Sequence, residues 1–134
     1  MEYIGNYNLP QWAATDRVLR EDFNETFEKI NTALSEKGNC QLVTGSYTGT
    51  GTYGSSHKNT LTFEKLPLLV FVTGDRFMWA MRGGTGAHIS WGNSGETVLT
   101  TWTENSLSWY ADNVNVQMNI SGTTYLYAAL VPCN

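Results

Sequence analysis

The fold of this chain is decided by residues 44–54, which read Thr-Gly-Ser-Tyr-Thr-Gly-Thr-Gly-Thr-Tyr-Gly. Gly49, Gly51 and Gly54 have the Gly-x-Gly-x-x-Gly spacing that, in dinucleotide-binding domains, follows a strand and opens a helix. Here the glycines lead into a polar turn and then into residues 60–63, Thr-Leu-Thr-Phe, which alternate as a strand does. The stretch therefore predicts a loop between two strands and disfavours a nucleotide site.

The chain around this loop has the composition of a β protein from residue 39 onward. Charged residues make up 15% of the sequence, compared with about 25% in ordinary soluble domains. Eleven of the 20 charged residues fall within 1–38, which separates that segment from a domain at 39–134. We expect an antiparallel β-sandwich of about eight strands. The strands are predicted at 39–47, 59–64, 68–73, 76–82, 97–103, 106–111, 114–120 and 123–131.

The predicted hairpin at 68–82 is apolar on both faces. A two-residue turn at 74–75 would place Phe71 opposite Met78, with apolar pairs on the other face as well. Because an antiparallel sheet with one solvated face alternates, we expect cover on both faces, from a second sheet and from the helix or another subunit. Phe71 and Met78 are therefore candidates for an oligomer interface.

The hairpin predicted at 97–111 instead has one polar face and one apolar face. A two-residue turn at 104–105 puts Trp102 and Trp109 on the apolar side. These two tryptophans are expected in the core.

Residues 1–38 are predicted to form an extended lead, 1–14, and one helix at about 16–36. Asp16 is the expected N-cap, and Lys37 and Gly38 the expected end. An apolar seam with 4-3-4 spacing runs along the helix. It can pack on the protein's own sheet, or it can form a short coiled-coil seam with other copies. The seam residues, which are the second set of interface candidates, are Phe23, Phe27, Ile30 and Leu34.

Charge and hydropathy exclude several partners. A net charge of −4 without a basic patch argues against nucleic acid. No apolar run approaches the roughly 18 residues of a membrane span, so no membrane insertion is expected. The N-terminus shows no basic segment followed by an apolar one, so we expect no signal peptide and synthesis in a cytoplasm.

The two cysteines, Cys40 and Cys133, lie at the two ends of the β-rich part. They are interpreted as reduced thiols, and a disulfide between adjacent terminal strands is the alternative. With two scattered histidines they lack zinc-ligand spacing, so we predict no metal and no cofactor.

Catalytic residues are not predicted. A hydrolase needs a nucleophile beside a base, or two carboxylates placed across a bond. Three of the five carboxylates in the β part lie in or beside predicted turns, and His57 lies on a polar loop without a Gly-x-Ser-x-Gly elbow. We therefore expect a protein that is not an enzyme.

Four phrases spread along the chain carry a family resemblance. Residues 9–24 combine Leu-Pro-Gln-Trp-Ala-Ala-Thr-Asp with Glu-Asp-Phe-Asn, followed by Lys-Ile at 29–30. A glycine-tyrosine run at 45–54 precedes Asn-Thr-Leu-Thr-Phe at 59–63, and Ser-Gly-Thr-Thr-Tyr-Leu-Tyr-Ala-Ala closes the chain at 121–129. Together they resemble short tail proteins of phages and prophages of Gram-positive, often gut, bacteria.

This resemblance implies a structural protein of a tail fibre or tail tip, located in the virion and synthesised in the host cytoplasm. It implies a homotrimer that contacts other tail proteins and the host surface, with residues 1–38 attaching and trimerising. It identifies no catalytic residues.

A free-standing carbohydrate-binding β-sandwich module is the alternative function. Five tryptophans in 134 residues would suit stacking on sugars. Trp91, in a glycine-rich stretch, is the first candidate, and the other reading of Trp91 is a cap on one end of the core. The remaining ligand-binding candidates are His88, Tyr47 and Tyr53.

Overall fold

The computed structural model describes residues 1–6, 8–36, 38, 40–92 and 94–133. The chain forms two compact units, Met1–Asn39 and Cys40–Asn134. The boundary between them lies one residue after the boundary expected at 38. Most of the regular structure is β, as predicted, with a single helix among the described residues. Within that same part of the chain, no helix is both long and apolar enough to cross a membrane.

The first unit is a small hairpin followed by the helix. Strands β1 (Glu2–Ile4) and β2 (Leu9–Gln11) pair antiparallel, and α1 spans Arg20–Glu36. The predicted extended lead is thus partly a two-stranded sheet. Gly38 follows the helix in the left-handed conformation (φ +73°) that suits a helix end, while Lys37 lies outside the described residues.

The predicted N-cap is wrong. The Asp16 carboxylate accepts a hydrogen bond from the Ala13 backbone N–H at 2.8 Å, which holds the pKa of Asp16 below its ordinary value. The helix begins four residues later, at Arg20. The carboxylate of Asp22, the third helix residue, accepts the Leu19 backbone N–H at 3.1 Å. This is the returning half of a capping box, with the acidic side chain near the positive end of the helix dipole.

The helix seam carries stacked aromatic rings. The Phe23 ring lies 5.4 Å from the Trp12 ring and 6.3 Å from the Phe27 ring, centroid to centroid. Phe27 and Leu34 are more than 60% exposed, whereas Ile30 is half-buried. The seam is therefore apolar and largely accessible, and both of its predicted roles stay predictions.

The second unit is one eight-stranded sheet in which every pairing is antiparallel. The spatial order is β3-β10-β5-β6-β7-β8-β9-β4, and the sheet curls into a half-barrel with its core on the inner face. The predicted antiparallel β fold of about eight strands is confirmed, as one curled sheet. The strands are β3 (Cys40–Thr48), β4 (Asn59–Thr62), β5 (Leu69–Thr73), β6 (Phe77–Met81), β7 (Gly86–Trp91), β8 (Ser94–Trp102), β9 (Ser106–Tyr110) and β10 (Thr124–Pro132).

One predicted strand is replaced by another. Residues 114–118 form turns instead of a strand. Met118 adopts φ +58°, and the Gln117 side chain accepts the backbone N–H groups of Gly54 and Ala111. Strand β7 instead comes from the glycine-rich stretch around Trp91, where no strand was predicted. Gly86 allows that strand to approach β8, since a Cβ there would lie 2.7 Å from the Thr97 Cγ2.

The hairpin of β5 and β6 has a register one residue from the predicted one. Its turn holds three residues, closed by a hydrogen bond of 2.9 Å from the Gly74 N–H to the Arg76 carbonyl. Phe71 therefore pairs with Trp79, and Val72 with Met78. Met78 is completely buried in the core, so its assignment as an interface candidate is wrong, whereas Phe71 lies on the outer face.

The hairpin of β8 and β9 has the predicted two-residue turn. The Thr103 N–H donates to the Ser106 carbonyl at 3.0 Å, and Trp102 pairs with Leu107. Trp109 is completely buried and Trp102 packs against the core, which confirms both predictions.

The two cysteines belong to neighbouring terminal strands. Cys40 pairs with Pro132 across β3 and β10, and Cys133 follows directly. Both side chains are free thiols in this structure.

Candidate functional site

The candidate site is the gap where the half-barrel stays open, which we call the slit. Strands β3 and β4 end the sheet and do not pair with each other. A cavity of about 360 Å³ lies between their edges, beneath the glycine loop at 49–58 that connects them. Its lining residues are Tyr47, Thr48, Thr50, Thr52, His57, Lys58, Asn59, Thr60, Leu61, Trp109 and Asn119.

Gln117, from the turns at 113–120, crosslinks the slit from inside. Its Oε1 accepts the backbone N–H groups of Gly54 at 2.9 Å and Ala111 at 3.0 Å. Its Nε2 donates to the His57 carbonyl at 2.6 Å and to the Asn59 Oδ1 at 3.3 Å. The side chain is completely buried, and all four bonding capacities of the amide are used.

Asn119 holds the glycine loop in the same way. Its Oδ1 accepts the Thr50 N–H at 3.0 Å, and its Nδ2 donates to the Thr52 carbonyl at 2.7 Å. The backbone adds a bond of 2.7 Å from the Gly51 N–H to the Asn119 carbonyl. A loop that is bonded at this many points is a rigid wall of the cavity.

The glycines of the loop serve these backbone contacts. A Cβ at residue 49 would lie 2.0 Å from the Ile120 carbonyl oxygen, so only glycine allows this approach. Gly51 and Gly54 have φ of +82° and +91°. The predicted loop between two strands is confirmed, and the spacing of its glycines reflects packing and turn geometry.

The floor of the slit is aromatic. The Tyr47 hydroxyl donates to the Met118 carbonyl at 2.8 Å, and the Tyr47 ring stacks on the Tyr125 ring with centroids 4.9 Å apart. Trp109 meets Tyr47 edge-on at 6.2 Å, and its Nε1 donates to the Gln117 carbonyl at 3.0 Å. Burial raises the pKa of Tyr47, so the hydroxyl stays protonated near neutral pH.

The rim of the slit offers neutral hydrogen-bonding groups and one cation. His57 Nδ1 lies 3.0 Å from the Ser56 Oγ, which leaves its other ring nitrogen for a ligand. The Lys58 ammonium lies over the Tyr110 ring, 5.5 Å from its centroid. No carboxylate is among the described residues that line the cavity. Hydroxyl, amide and imidazole groups over aromatic faces suit a neutral polyhydroxylated ligand.

The four ligand candidates taken from the sequence do not come together in one place. Tyr47 forms the floor of the slit, and Tyr53 is exposed on the glycine loop. His88 lies on the outer face, with its ring over Gly95. Trp91 packs against the core, and the Arg76 guanidinium lies 4.1 Å from its ring centroid. This position agrees with the other interpretation of Trp91, in which it caps one end of the core.

Sequence reasoning missed the residues that build the slit. Asn59, Gln117 and Asn119 are buried amides, and two of them fall in a segment we predicted as a strand. Amides at alternate positions of an otherwise apolar segment were the available signal, since a buried amide needs several partners.

Comparison with known proteins adds no relative: no family model, no curated protein and no solved structure matches this chain. Among the described residues, no group of three or more His, Cys, Asp or Glu side chains could hold a metal ion.

Proposed function

We propose that this chain is a structural protein of a phage tail fibre or tail tip that attaches to the host surface by binding a neutral glycan in the slit. The sequence phrases at 9–24, 45–54 and 121–129 support the tail assignment. The protein works by binding and not by catalysis, and the homotrimer implied by the resemblance would present several slits to one surface.

The slit is the observation that carries the binding part of the proposal. Its walls are held by the buried amides Gln117 and Asn119, so little ordering remains to oppose binding. Tyr47, which is half-buried on the cavity floor, supplies aromatic surface for the apolar face of a sugar ring. His57 and the threonine hydroxyls at the rim supply donors and acceptors for sugar hydroxyls.

A binding titration with matched histidine variants tests the site. The probes are neutral oligosaccharides from Gram-positive cell walls and capsules, and binding is measured by isothermal titration calorimetry. We expect His57→Ala to weaken binding at least about 10-fold, the effect of losing one good hydrogen bond. His88→Ala is the control, since His88 lies on the outer face.

Two results would count against the slit. Unchanged binding by His57→Ala with weaker binding by His88→Ala would move the site to the outer face. No binding to any oligosaccharide of the panel would reject the glycan as ligand.

Electron microscopy with antibodies against the chain tests the tail assignment separately. Particles are purified from an induced lysogen that encodes the chain, and we expect label at the end of the tail. Absence of the chain from purified particles would reject the assignment. Glycan binding together with that absence would favour the free-standing carbohydrate-binding module, to which the slit is equally suited.

A further inference from the structure

The outer face of β3, β10, β5 and β6 presents an apolar surface. Leu99 on β8 also points outward, on the far side of β7. Because side chains alternate along a strand, Val70, Val72 and Met78 enter the core while their neighbours point outward. Eight large outward side chains are between 37% and 64% exposed. They are Leu42, Phe71, Phe77, Trp79, Met81, Leu99, Leu126 and Leu130.

This outer apolar face carries no charged side chain on its four strands. None of the residues of β3, β5, β6 and β10 is Asp, Glu, Lys or Arg. Solvated faces and edges of natural sheets usually carry such residues, which discourage association. The remaining strands differ, since outward threonines and serines dominate β4, β8 and β9, as in the pairs Thr60–Ser108 and Thr62–Ser106.

The area is that of a protein interface. At about 150–250 Å² for a fully exposed large side chain, the seven on β3, β5, β6 and β10 together expose about 500–800 Å². The largest apolar patch of a typical monomer is about 300–600 Å². A stable interface uses about 800 Å² on each partner. The face therefore approaches the area that one copy of a stable dimer contributes.

The face carries both a ridge and a groove. The Phe71 and Phe77 rings, with centroids 5.7 Å apart, form a ridge. Beside the ridge runs a groove of about 410 Å³ over the small residues Thr44, Ser46 and Ala128. A ridge next to a groove of small residues on one uncharged surface fits the same surface of another copy, and needs no partner of opposite charge.

We propose that the outer apolar face packs against a second copy of this chain, with the Phe71–Phe77 ridge of one copy in the groove of the next. The inference stands on the sheet alone and does not depend on the proposed function. It assigns self-association to the second unit, whereas the sequence placed it mainly on the helix.

The test is the solution mass of the full chain by size-exclusion chromatography with light scattering, over a range of concentrations. The wild-type chain of 14.9 kDa should show a multiple of that mass. Phe71→Lys puts a charge into the ridge and should raise the dissociation constant at least about 30-fold, as expected for a central aromatic anchor. Thr101→Lys is the control, because it adds the same charge on β8, in the threonine-rich part of the outer face.

Ala128→Trp is the second variant, and it fills the groove without adding charge. It should also dissociate the oligomer, while circular dichroism keeps the β spectrum of the wild-type chain. A monomeric wild-type chain at all concentrations overturns the proposal. So does an oligomer that withstands both Phe71→Lys and Ala128→Trp in folded protein. Binding in the slit is tested with variants of other residues, so this result does not bear on the proposed function.

Discussion

The slit and the outer apolar face of the same half-barrel use opposite kinds of side chain. At the slit, buried amides hold the loop and the sheet ends together through many hydrogen bonds, and no side-chain methylene could replace them. On the outer face, large apolar side chains are exposed and make no such bonds. The comparison teaches that polar groups here fix the shape of a site, while apolar groups are available to partners.

This difference predicts that substitutions at the slit lower the free energy of unfolding, whereas substitutions on the outer face weaken self-association. The first expectation follows from the high cost of an unpaired buried polar group, about 1–3 kcal/mol each. The second follows from the modest effect of surface substitutions on folding, about 0.5 kcal/mol.

Gln117→Leu should have the largest effect on folding. It leaves the N–H groups of Gly54 and Ala111 and the carbonyl of His57 without partners inside the protein. We expect the free energy of unfolding to fall by about 3–5 kcal/mol. Chemical denaturation measures it, with the exposed Gln41→Leu as the control. A loss below about 1 kcal/mol would mean that water replaces the amide.

Gly49→Ala should come next, and Gly54→Ala should cost less. The new Cβ at residue 49 meets the Ile120 carbonyl oxygen at 2.0 Å, so two backbone segments must separate, at about 2–4 kcal/mol. Gly54 has open space, and the cost there is the left-handed φ of +91°, about 1–2 kcal/mol. Thermal unfolding of both variants checks the order. The reverse order would show that the loop moves freely away from Ile120.

Sequence periodicity predicted most of the β fold for a physical reason. Alternation of apolar residues fixes which side chains face the core, and it located β3, β4, β8, β9 and β10 within two to three residues. The hairpin of β5 and β6 shows its limit. Both faces are apolar there, so the pattern does not set the register, and a three-residue turn shifts Met78 from the outer face to the core.

The slit could not be predicted by the same means. Its key residue, Gln117, acts through backbone groups of residues 54, 57 and 111, which are distant in sequence or unmarked by type. No strand was predicted over the glycine-rich stretch that forms β7, although Gly86 of β7 and Gly95 of β8 admit close neighbours inside the sheet. Side-chain type shows that a residue is unusual, and only the fold shows which groups it bonds.

Val70→Thr and Phe71→Thr compare the two faces at adjacent positions of β5. Val70 is completely buried, so a hydroxyl there lacks a partner and should cost about 1–3 kcal/mol of unfolding free energy. Phe71 points outward, and threonine there should cost less than about 1 kcal/mol. Denaturation at low protein concentration, where association contributes least, measures both. Equal costs would mean that Phe71 is covered within its own chain.

Alkaline pH should lower stability gradually, and this effect belongs to the slit. Burial raises the pKa of Tyr47 above 10.0, and burial likewise raises the pKa of Tyr125, which stacks on it. A raised pKa in the folded state means that the stability is fully present below pH 10 and is lost as the pH rises further, because only the unfolded tyrosine ionises. Tyr47 should lower the unfolding free energy by about 1.4 kcal/mol per pH unit above 10.

Tyr47→Phe isolates that contribution. The variant loses the hydrogen bond to the Met118 carbonyl, about 1 kcal/mol at pH 8, but its stability should fall less steeply than that of the wild-type chain between pH 10 and 11. Tyr53→Phe, on the exposed part of the glycine loop, is the control and should keep the wild-type slope. Denaturation curves at half-unit pH steps give the slopes. Identical slopes for Tyr47→Phe and the wild-type chain would show that solvent reaches the Tyr47 hydroxyl, and the rigid floor of the slit would then have to be abandoned.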